Sequence, residues 1–287
     1  MNCTPQFEDY KLIDSGDGEK LERFGRFVLR RPEPQAVWHK SLSEKEWLSA
    51  DASFLRESGS EERGEWKVRS GMPDRWNVQY KYKTMSLKLR LALTSFKHVG
   101  LFPEQAENWN FIFDACAGIC APKVLNLFAY TGGASLAAAS AGAQVTHVDS
   151  VKQVLSWSSE NASQSGIEGI RWIHDDALKF AHREQRRGNR YQGIILDPPA
   201  YGRGANGEKW VLEQNIAELM ECLSSLLEKE NSFLVLNLYS MGLSSTIART
   251  LVHQFFPNIK KEEFGELCFD DLSQKRLPLG TFYRMYT

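Results

Sequence analysis

Two short segments carry residue types that can do chemistry. In the first, the apolar run from Val124 ends in Phe128-Ala129-Tyr130-Thr131-Gly132-Gly133-Ala134. Paired glycines permit a positive φ and let a ligand approach the backbone closely. Asp149 follows Gly132 by seventeen residues, near the usual spacing from a glycine turn to an acid that binds ribose hydroxyls. A dinucleotide site wants G-x-G-x-x-G, which seats a pyrophosphate on a helix N-terminus. That pattern is missing, so the segment fits a ligand with a ribose and no phosphates. S-adenosylmethionine is one such ligand. Ordinary strand–helix packing is the plainer use of a glycine turn.

In the second segment, Asp197-Pro198-Pro199-Ala200-Tyr201 follows the apolar Gly193-Ile194-Ile195-Leu196. Two prolines fix the backbone there. The Asp197 carboxylate and a fixed Pro198 carbonyl can accept hydrogen bonds from a planar substrate. Tyr201 can stack on its face, which contributes about 1–3 kcal/mol per base in nucleic-acid sites. Methyl transfer from a sulfonium needs an in-line approach to a free lone pair, so positioning carries most of the effect. A proline-stiffened loop with a helix cap at Asp197 is the alternative. Asp175-Asp176 falls where an adenine edge would lie. Asp176 is the ligand candidate, and it is equally well placed to N-cap the following helix.

These residues need a scaffold. From Val124 onward the pattern alternates. Strands are expected at Val124–Phe128, Gln144–Asp149, Ile170–Ile173, Gln192–Leu196 and Ser232–Leu238. Helices are expected at Gly133–Gly142, Val151–Ser165, Ala177–Arg187, Trp210–Leu227 and Ser244–Phe256. Near-continuous apolar strands between helices mean a parallel sheet covered on both faces. Such sheets bind ligands at the carboxyl ends of their strands. Strands near Glu263–Phe269 and Gly280–Tyr286 read as a closing hairpin with a long turn. Pro103 suits the first turn of a helix reaching about Cys120. Residues 1–95 read as a small β-rich substrate-recognition domain, with 39–65 as loop and short helix, and 96–287 as the ligand-binding domain.

Bulk properties narrow the class. The chain has 287 residues, 42% hydrophobic and 25% charged, with a net charge of -1. No global field draws it to nucleic acid or anionic lipid, so any such contact is local. Five cysteines form no framework and fit free thiols in a reducing compartment, and Cys116 and Cys120, four apart with no second pair, read as a buried helical face rather than a zinc site. No apolar run is long enough for a bilayer span, and Met1 to Tyr10 has no basic-then-apolar signal pattern. A cytoplasmic protein without metal or membrane partner is expected.

The residues quoted above resemble the class I S-adenosylmethionine-dependent methyltransferases. Within them they resemble the bacterial 23S ribosomal RNA large-subunit methyltransferase family, the cytosine-5 and guanine-7 enzymes, over about Leu93 to Met241. Asn126-Leu127-Phe128-Ala129-Tyr130-Thr131-Gly132-Gly133 is close to the family's N-x-F-x-Y-T-G-G. Gly100-Leu101-Phe102-Pro103-Glu104-Gln105 is similar to its cofactor-lining G-x-x-x-D-Q, with Glu104 replacing the aspartate. Asp197 to Tyr201 matches D-P-P-K-F. The resemblance implies a Rossmann-like domain, a mostly parallel seven-stranded sheet with a C-terminal antiparallel hairpin, beside the small N-terminal β-rich domain. It implies S-adenosylmethionine as cofactor, held by Lys97, Gln105, Phe128, Tyr130, Thr131, Gly132, Gly133, Asp149, Asp176 and Asp197. Asp197, Pro198 and Tyr201 would hold the acceptor, a base in ribosomal RNA.

Two departures stand out. The cytosine-5 members carry a cysteine in a segment like F-S-C-S-G-L. Here Leu238-Tyr239-Ser240-Met241-Gly242-Leu243 puts Ser240 at that place. Carbon-5 of cytosine needs a thiolate adding to the ring, and serine is a poor substitute near neutral pH, so nitrogen is the expected acceptor. The N-terminal residues also show nothing like the RNA-binding module of those enzymes.

From Arg63 to Lys97 lie nine Lys or Arg against Glu65 and Asp74, with Trp66, Trp76, Tyr80 and Tyr82 interleaved. A basic, aromatic β surface suits a single-stranded RNA loop. Lysines that protect an edge strand from aggregation give the same pattern, and Lys81 and Lys83 share one face with aromatics on the other. A protein or small-molecule acceptor, or a catalytically silent S-adenosylmethionine-binding module, are the rival functions. Oligomeric state is not written in the sequence.

Overall fold

The computed structural model describes residues 2–3, 6–57, 59, 63–239 and 244–287. The N-terminal part contains β1 (Asn2–Cys3), β2 (Tyr10–Gly16), β3 (Glu19–Phe24), β4 (Phe27–Pro32), α1 (Glu44–Trp47), β5 (Ala52–Arg56) and β6 (Gly64–Val68). Strands β2 to β6 form one five-stranded sheet in chain order, antiparallel except at β4–β5. The span 39–65 therefore holds a central strand, β5, where loop and short helix were expected. Its Ala52 and Phe54 are buried and pair with β6. A hairpin follows, β7 (Arg75–Tyr82) and β8 (Met85–Ala92). Its strict alternation buries Trp76, Val78 and Tyr80 on one face and exposes Arg75, Gln79 and Lys81 on the other.

The remaining chain alternates as its pattern implies. It runs α2 (Ala106–Ala117), β9 (Lys123–Leu127), α3 (Gly133–Ser140), β10 (Gln144–Asp149), α4 (Lys152–Gln164), β11 (Arg171–His174), α5 (Ala177–Arg186) and β12 (Gly193–Leu196). Then come β13 (Tyr201–Arg203), β14 (Lys209–Val211), α6 (Leu212–Leu226), β15 (Phe233–Leu238), α7 (Ser245–Phe255), β16 (Lys261–Asp270) and β17 (Arg276–Tyr286). The central sheet has the order β1-β16-β17-β15-β12-β9-β10-β11. Its core, β15 to β11, is parallel; β17 runs antiparallel to β15 and β16 to β17. Every residue of β12 and β15 is buried, as a two-sided sheet demands. Strand order reverses at β9 and β12, the place where such sheets bind ligands.

Three details differ from the sequence reading. The expected seven strands gain an eighth, because Asn2–Cys3 pairs in parallel with β16. Trp210 is not in a helix: it lies in a β13–β14 hairpin, opposite Gly202, and α6 starts at Leu212. The closing hairpin has a short turn, since Pro278 and Gly280 sit inside β17, Pro278 opposite Cys268 where the register shifts. Bulges are where a strand tolerates proline.

The N-terminal sheet is docked on this body. Tyr10 and Phe269 rings lie 4.6 Å apart. Asp14 is buried and accepts from Lys275 Nζ at 2.8 Å, Leu42 N at 2.9 Å and Trp47 Nε1 at 2.9 Å. Burial pushes its carboxyl up, yet these donors leave it below the usual carboxylate range. Buried Arg31 pairs with buried Glu22 and donates to the Lys97 carbonyl at 3.1 Å. Breaking one partner of such a pair leaves an uncompensated charge, which costs about 3–5 kcal/mol.

Candidate active site

The turn after β9 is bolted from every side. Phe128, Tyr130 and Gly132 have φ of 56°, 49° and 95°. The left-handed region is costly for side-chain-bearing residues, so contacts must hold it. Tyr130 N donates to Asp149 Oδ2 at 2.9 Å, and the Tyr130 carbonyl accepts from Ser158 Oγ at 2.6 Å. The Thr131 carbonyl accepts from Asn161 Nδ2 at 2.9 Å, and Thr131 Oγ1 donates to the Gly100 carbonyl at 2.7 Å. Asn161 Oδ1 in turn accepts Arg90 N at 2.9 Å, which ties the turn to β8. A Cβ at Gly133 would lie 2.4 Å from Trp109 Cζ2. Glycine is required there for the helix to start against the indole.

Asp149 sits at the tip of β10. Its other oxygen accepts Val151 N at 2.9 Å. A carboxylate offers about four lone-pair sites, so the backbone contacts leave capacity for hydroxyl donors. Burial raises its carboxyl above the usual range, against the opposing backbone donors. Asp176 is the N-cap of α5, accepting Lys179 N at 2.9 Å. The cap role is therefore real. Its other oxygen faces the β13–β14 hairpin, where a Cβ on Gly204 would come within 2.7 Å of it.

That hairpin links the two sequence segments. Trp210 Nε1 donates to the Pro199 carbonyl at 2.7 Å, and the Trp210 ring lies 4.8 Å from Phe128. Ser150 Oγ, next to Asp149, donates to the Arg203 carbonyl at 3.0 Å. Lys179 on α5 pairs with Glu208. Tyr201 starts the hairpin and is 55% exposed, so its ring is available to a partner.

One cleft gathers most of these groups. Gln105, Phe128, Tyr130, Thr131, Gly132, Gly133 and Asp197 line it, together with Phe102, Asn108, Trp109, Asn126 and Asn237. Asp149 and Asp176 stand behind the turn and under the hairpin. Pro198 is buried at the end of β12, and Tyr201 lies beyond the cleft wall. Lys97 does not line the cleft; it belongs to the segment leading to Leu101 and Phe102, with its carbonyl held by Arg31. The described residues contain no group of side chains suited to a metal ion, and no cysteine lines the cleft. Ser240, which bears on cytosine-5 chemistry, lies outside the described residues.

Asp197 Oδ1 accepts Asn237 Nδ2 at 3.0 Å. Burial, reinforced by the charge of Glu104, pushes the Asp197 carboxyl up to about 7 despite the Asn237 bond. Glu104 is itself pushed up to about 7 by burial. Tyr239 OH donates to Glu104 Oε1 at 3.0 Å and accepts Gln105 Nε2 at 2.9 Å. Asn237 and Tyr239 were not found by sequence reasoning. A lone amide inside the apolar run Phe233–Leu238 was the available signal, since a buried amide needs partners.

The proposed basic aromatic surface needs correction. Trp76 and Tyr80 are buried, and Tyr82 OH donates to Asp114. Trp76 and Tyr80 pack the hairpin away from its cations, and only Tyr82, with Lys83 Nζ 5.0 Å from its ring centre, meets one among the described residues of the hairpin. Arg90 pairs with Glu160 over the Trp157 ring. Among the described residues of this span Phe96 is the exposed aromatic, while Trp66 is half-buried against Phe54 on the outer strand of the N-terminal sheet.

Fold and cleft together define a nucleoside-binding α/β enzyme. The family model for S-adenosylmethionine-dependent methyltransferases matches residues 60–245, and the chain belongs to that family. Its cofactor is S-adenosylmethionine. A crystal structure of a SAM-dependent methyltransferase from Agrobacterium tumefaciens is 35% identical, with a TM-score of 0.90, covering 100% of this chain and 93% of that one. Ribosomal RNA large subunit methyltransferase K/L of Shewanella frigidimarina is 31% identical over 154 residues, 52% of this chain. The Vibrio cholerae protein of the same name is 31% identical over 186 residues, 60% of this chain. The matched parts are only 21% and 25% of those relatives' lengths.

Proposed function

We propose that this enzyme methylates a nitrogen of a base in ribosomal RNA. The observation that carries the reading is the meeting of two loops in one cleft: the glycine turn after β9 and the Asp197-Pro198 loop after β12. The names of the matched K/L relatives support RNA as the substrate class. A cytoplasmic place of action follows from that substrate, and residues 1–95 would serve its recognition.

The cleft fits the cofactor. Asn237 is 1% exposed, and its Oδ1 has no hydrogen-bond partner. A buried orphan acceptor of this kind calls for a ligand donor, and an ammonium group supplies one. Gln105, Phe128, Tyr130 and Thr131 would wall the amino-acid and sulfonium end, with Gly132 and Gly133 giving close backbone approach. Asp149 would accept the ribose hydroxyls, and Asp176 the adenine amine. Lys97 would act from the rim. When bound, S-adenosylmethionine supplies an electrophilic methyl group on a sulfonium.

The chain's own work is positioning. Asp197, in its charged form, accepts a donor on the acceptor base, oriented by Asn237. The Pro198 carbonyl accepts a second, and Tyr201 stacks on the ring. A nitrogen lone pair needs no covalent help, which suits a cleft without a cysteine among the described residues. The test is mass spectrometry of ribosomal RNA nucleosides from cells with and without the gene. Loss of one methylated base supports the reading; an unchanged set overturns it.

A further inference from the structure

The cleft continues outward along an aromatic track. Phe102 lines the cleft, and its ring lies 5.3 Å from both Tyr130 and Tyr239. The His98 ring lies 5.1 Å from Phe102 and is half-buried. Two residues earlier Phe96 is 43% exposed, with the Arg63 guanidinium 5.7 Å from its ring centre. Trp66 Nε1 donates to the Phe96 carbonyl at 3.3 Å. The backbone under this track is fixed. Arg63 and Phe96 form a β-bridge, Gly64 N donates to the Ser95 carbonyl at 3.1 Å, and Arg31 holds the Lys97 carbonyl. Rings on a rigid backbone lose little entropy on binding.

The track ends on β6, the outer strand of the five-stranded sheet. Lys67 is exposed on this strand, and Arg63 and Arg69 are exposed just before and just after it, with Glu65 among them. Phosphates suit those cations and bases suit the rings, as in single-strand binding surfaces. We propose that single-stranded RNA flanking the target base runs along Phe102, His98, Phe96 and Trp66, with its phosphates beside β6. This rests on the RNA reading above and names the surface that reading lacks. It replaces the β7–β8 hairpin, whose aromatic residues are buried or, at Tyr82, bonded to Asp114, as the contact face. A peptide partner fits less well, because among the described residues the track offers no acceptor row other than the short β6 edge.

The full chain is titrated with a labelled 12-nucleotide single-stranded RNA of mixed sequence and with the same sequence as a duplex. Phe96→Ala should weaken single-strand binding about tenfold, from the loss of one stacked base. Phe96→Tyr should restore it, and duplex binding and S-adenosylhomocysteine affinity should stay unchanged. Lys67→Ala should lower the slope of log affinity against log salt by about 0.7. Single-strand binding that is intact in Phe96→Ala overturns the track and leaves the RNA reading standing. A wild-type chain that binds neither RNA overturns both. A protein acceptor whose KM rises in Phe96→Ala, with no RNA binding, assigns the surface to a peptide and also overturns the proposal.

Discussion

The two walls of the cleft are built on different principles. The glycine-turn wall is backbone, set in left-handed geometry and held by the buried side chains of Ser158, Asn161 and Thr131 and by half-buried Asp149. The Asp197 wall is made of side chains, stiffened by two prolines and continued by a hairpin whose first ring is exposed. A wall of backbone can be spoiled only by adding atoms or removing its bolts. A wall of side chains can be altered group by group while the fold stands. Cofactor binding and acceptor binding should therefore separate under mutation.

The largest break should come at Gly133. A Cβ there meets Trp109 at 2.4 Å, so Gly133→Val should remove S-adenosylhomocysteine binding by calorimetry. Overpacking should also cost about 1–3 kcal/mol of stability, visible in a thermal melt. Next comes Asp149→Ala, which frees two backbone N–H groups and removes the acid of the turn. Hydrogen bonds to a charged group contribute about 1.5–3 kcal/mol, so affinity for S-adenosylhomocysteine should fall about 10- to 100-fold. Unchanged affinity would remove Asp149 from the cofactor side.

The acceptor wall sharpens the contrast through pH. Asp197 and Glu104 both have carboxyls pushed up to about 7 by burial, and the charge of Glu104 raises Asp197 further. The folded chain thus keeps protons that the unfolded chain releases near the ordinary value of 3.8 for Asp197. Stability should fall as pH rises from about 4 to about 7, because the folded state binds more protons there. Asp197→Asn should flatten part of that fall. Methyl transfer needs the charged carboxylate, so kcat/KM should rise over the upper part of the same range and level off above about 7. Glu104→Gln should move that rise to lower pH. The smallest effect belongs to Tyr201→Ala. It should raise KM for the acceptor about tenfold and shift stability by less than about 0.5 kcal/mol, since the ring is exposed.

The same contrast explains what was legible in the sequence. The backbone wall is local: Phe128 to Gly133 and Asp149 announce themselves by glycine placement and spacing. The parallel strands announce themselves as short apolar runs. Long-range parts were not legible. Asn237 meets Asp197 only because β15 lies beside β12. The apolar pattern of α6 runs back through Trp210, so the helix seemed to start there. What draws Lys209–Val211 into a hairpin is distant: Trp210 bonds the Pro199 carbonyl, and Asn215 Oδ1 accepts Val211 N at 2.9 Å. The burial of Trp76 and Tyr80 was readable, because period-two alternation already set the lysines on one face and the rings on the other. Composition over Arg63–Lys97 obscured it.

The separation of the two walls is tested most directly by transfer of a labelled methyl group from S-adenosylmethionine to protein-free 23S ribosomal RNA, with wild type and Asp197→Asn side by side. Label should enter the RNA with wild type and fall about 100-fold in Asp197→Asn, while S-adenosylhomocysteine affinity changes by no more than a few fold. Equal labelling by both proteins, or none of the RNA labelled by wild type, would contradict the assignment of this cleft.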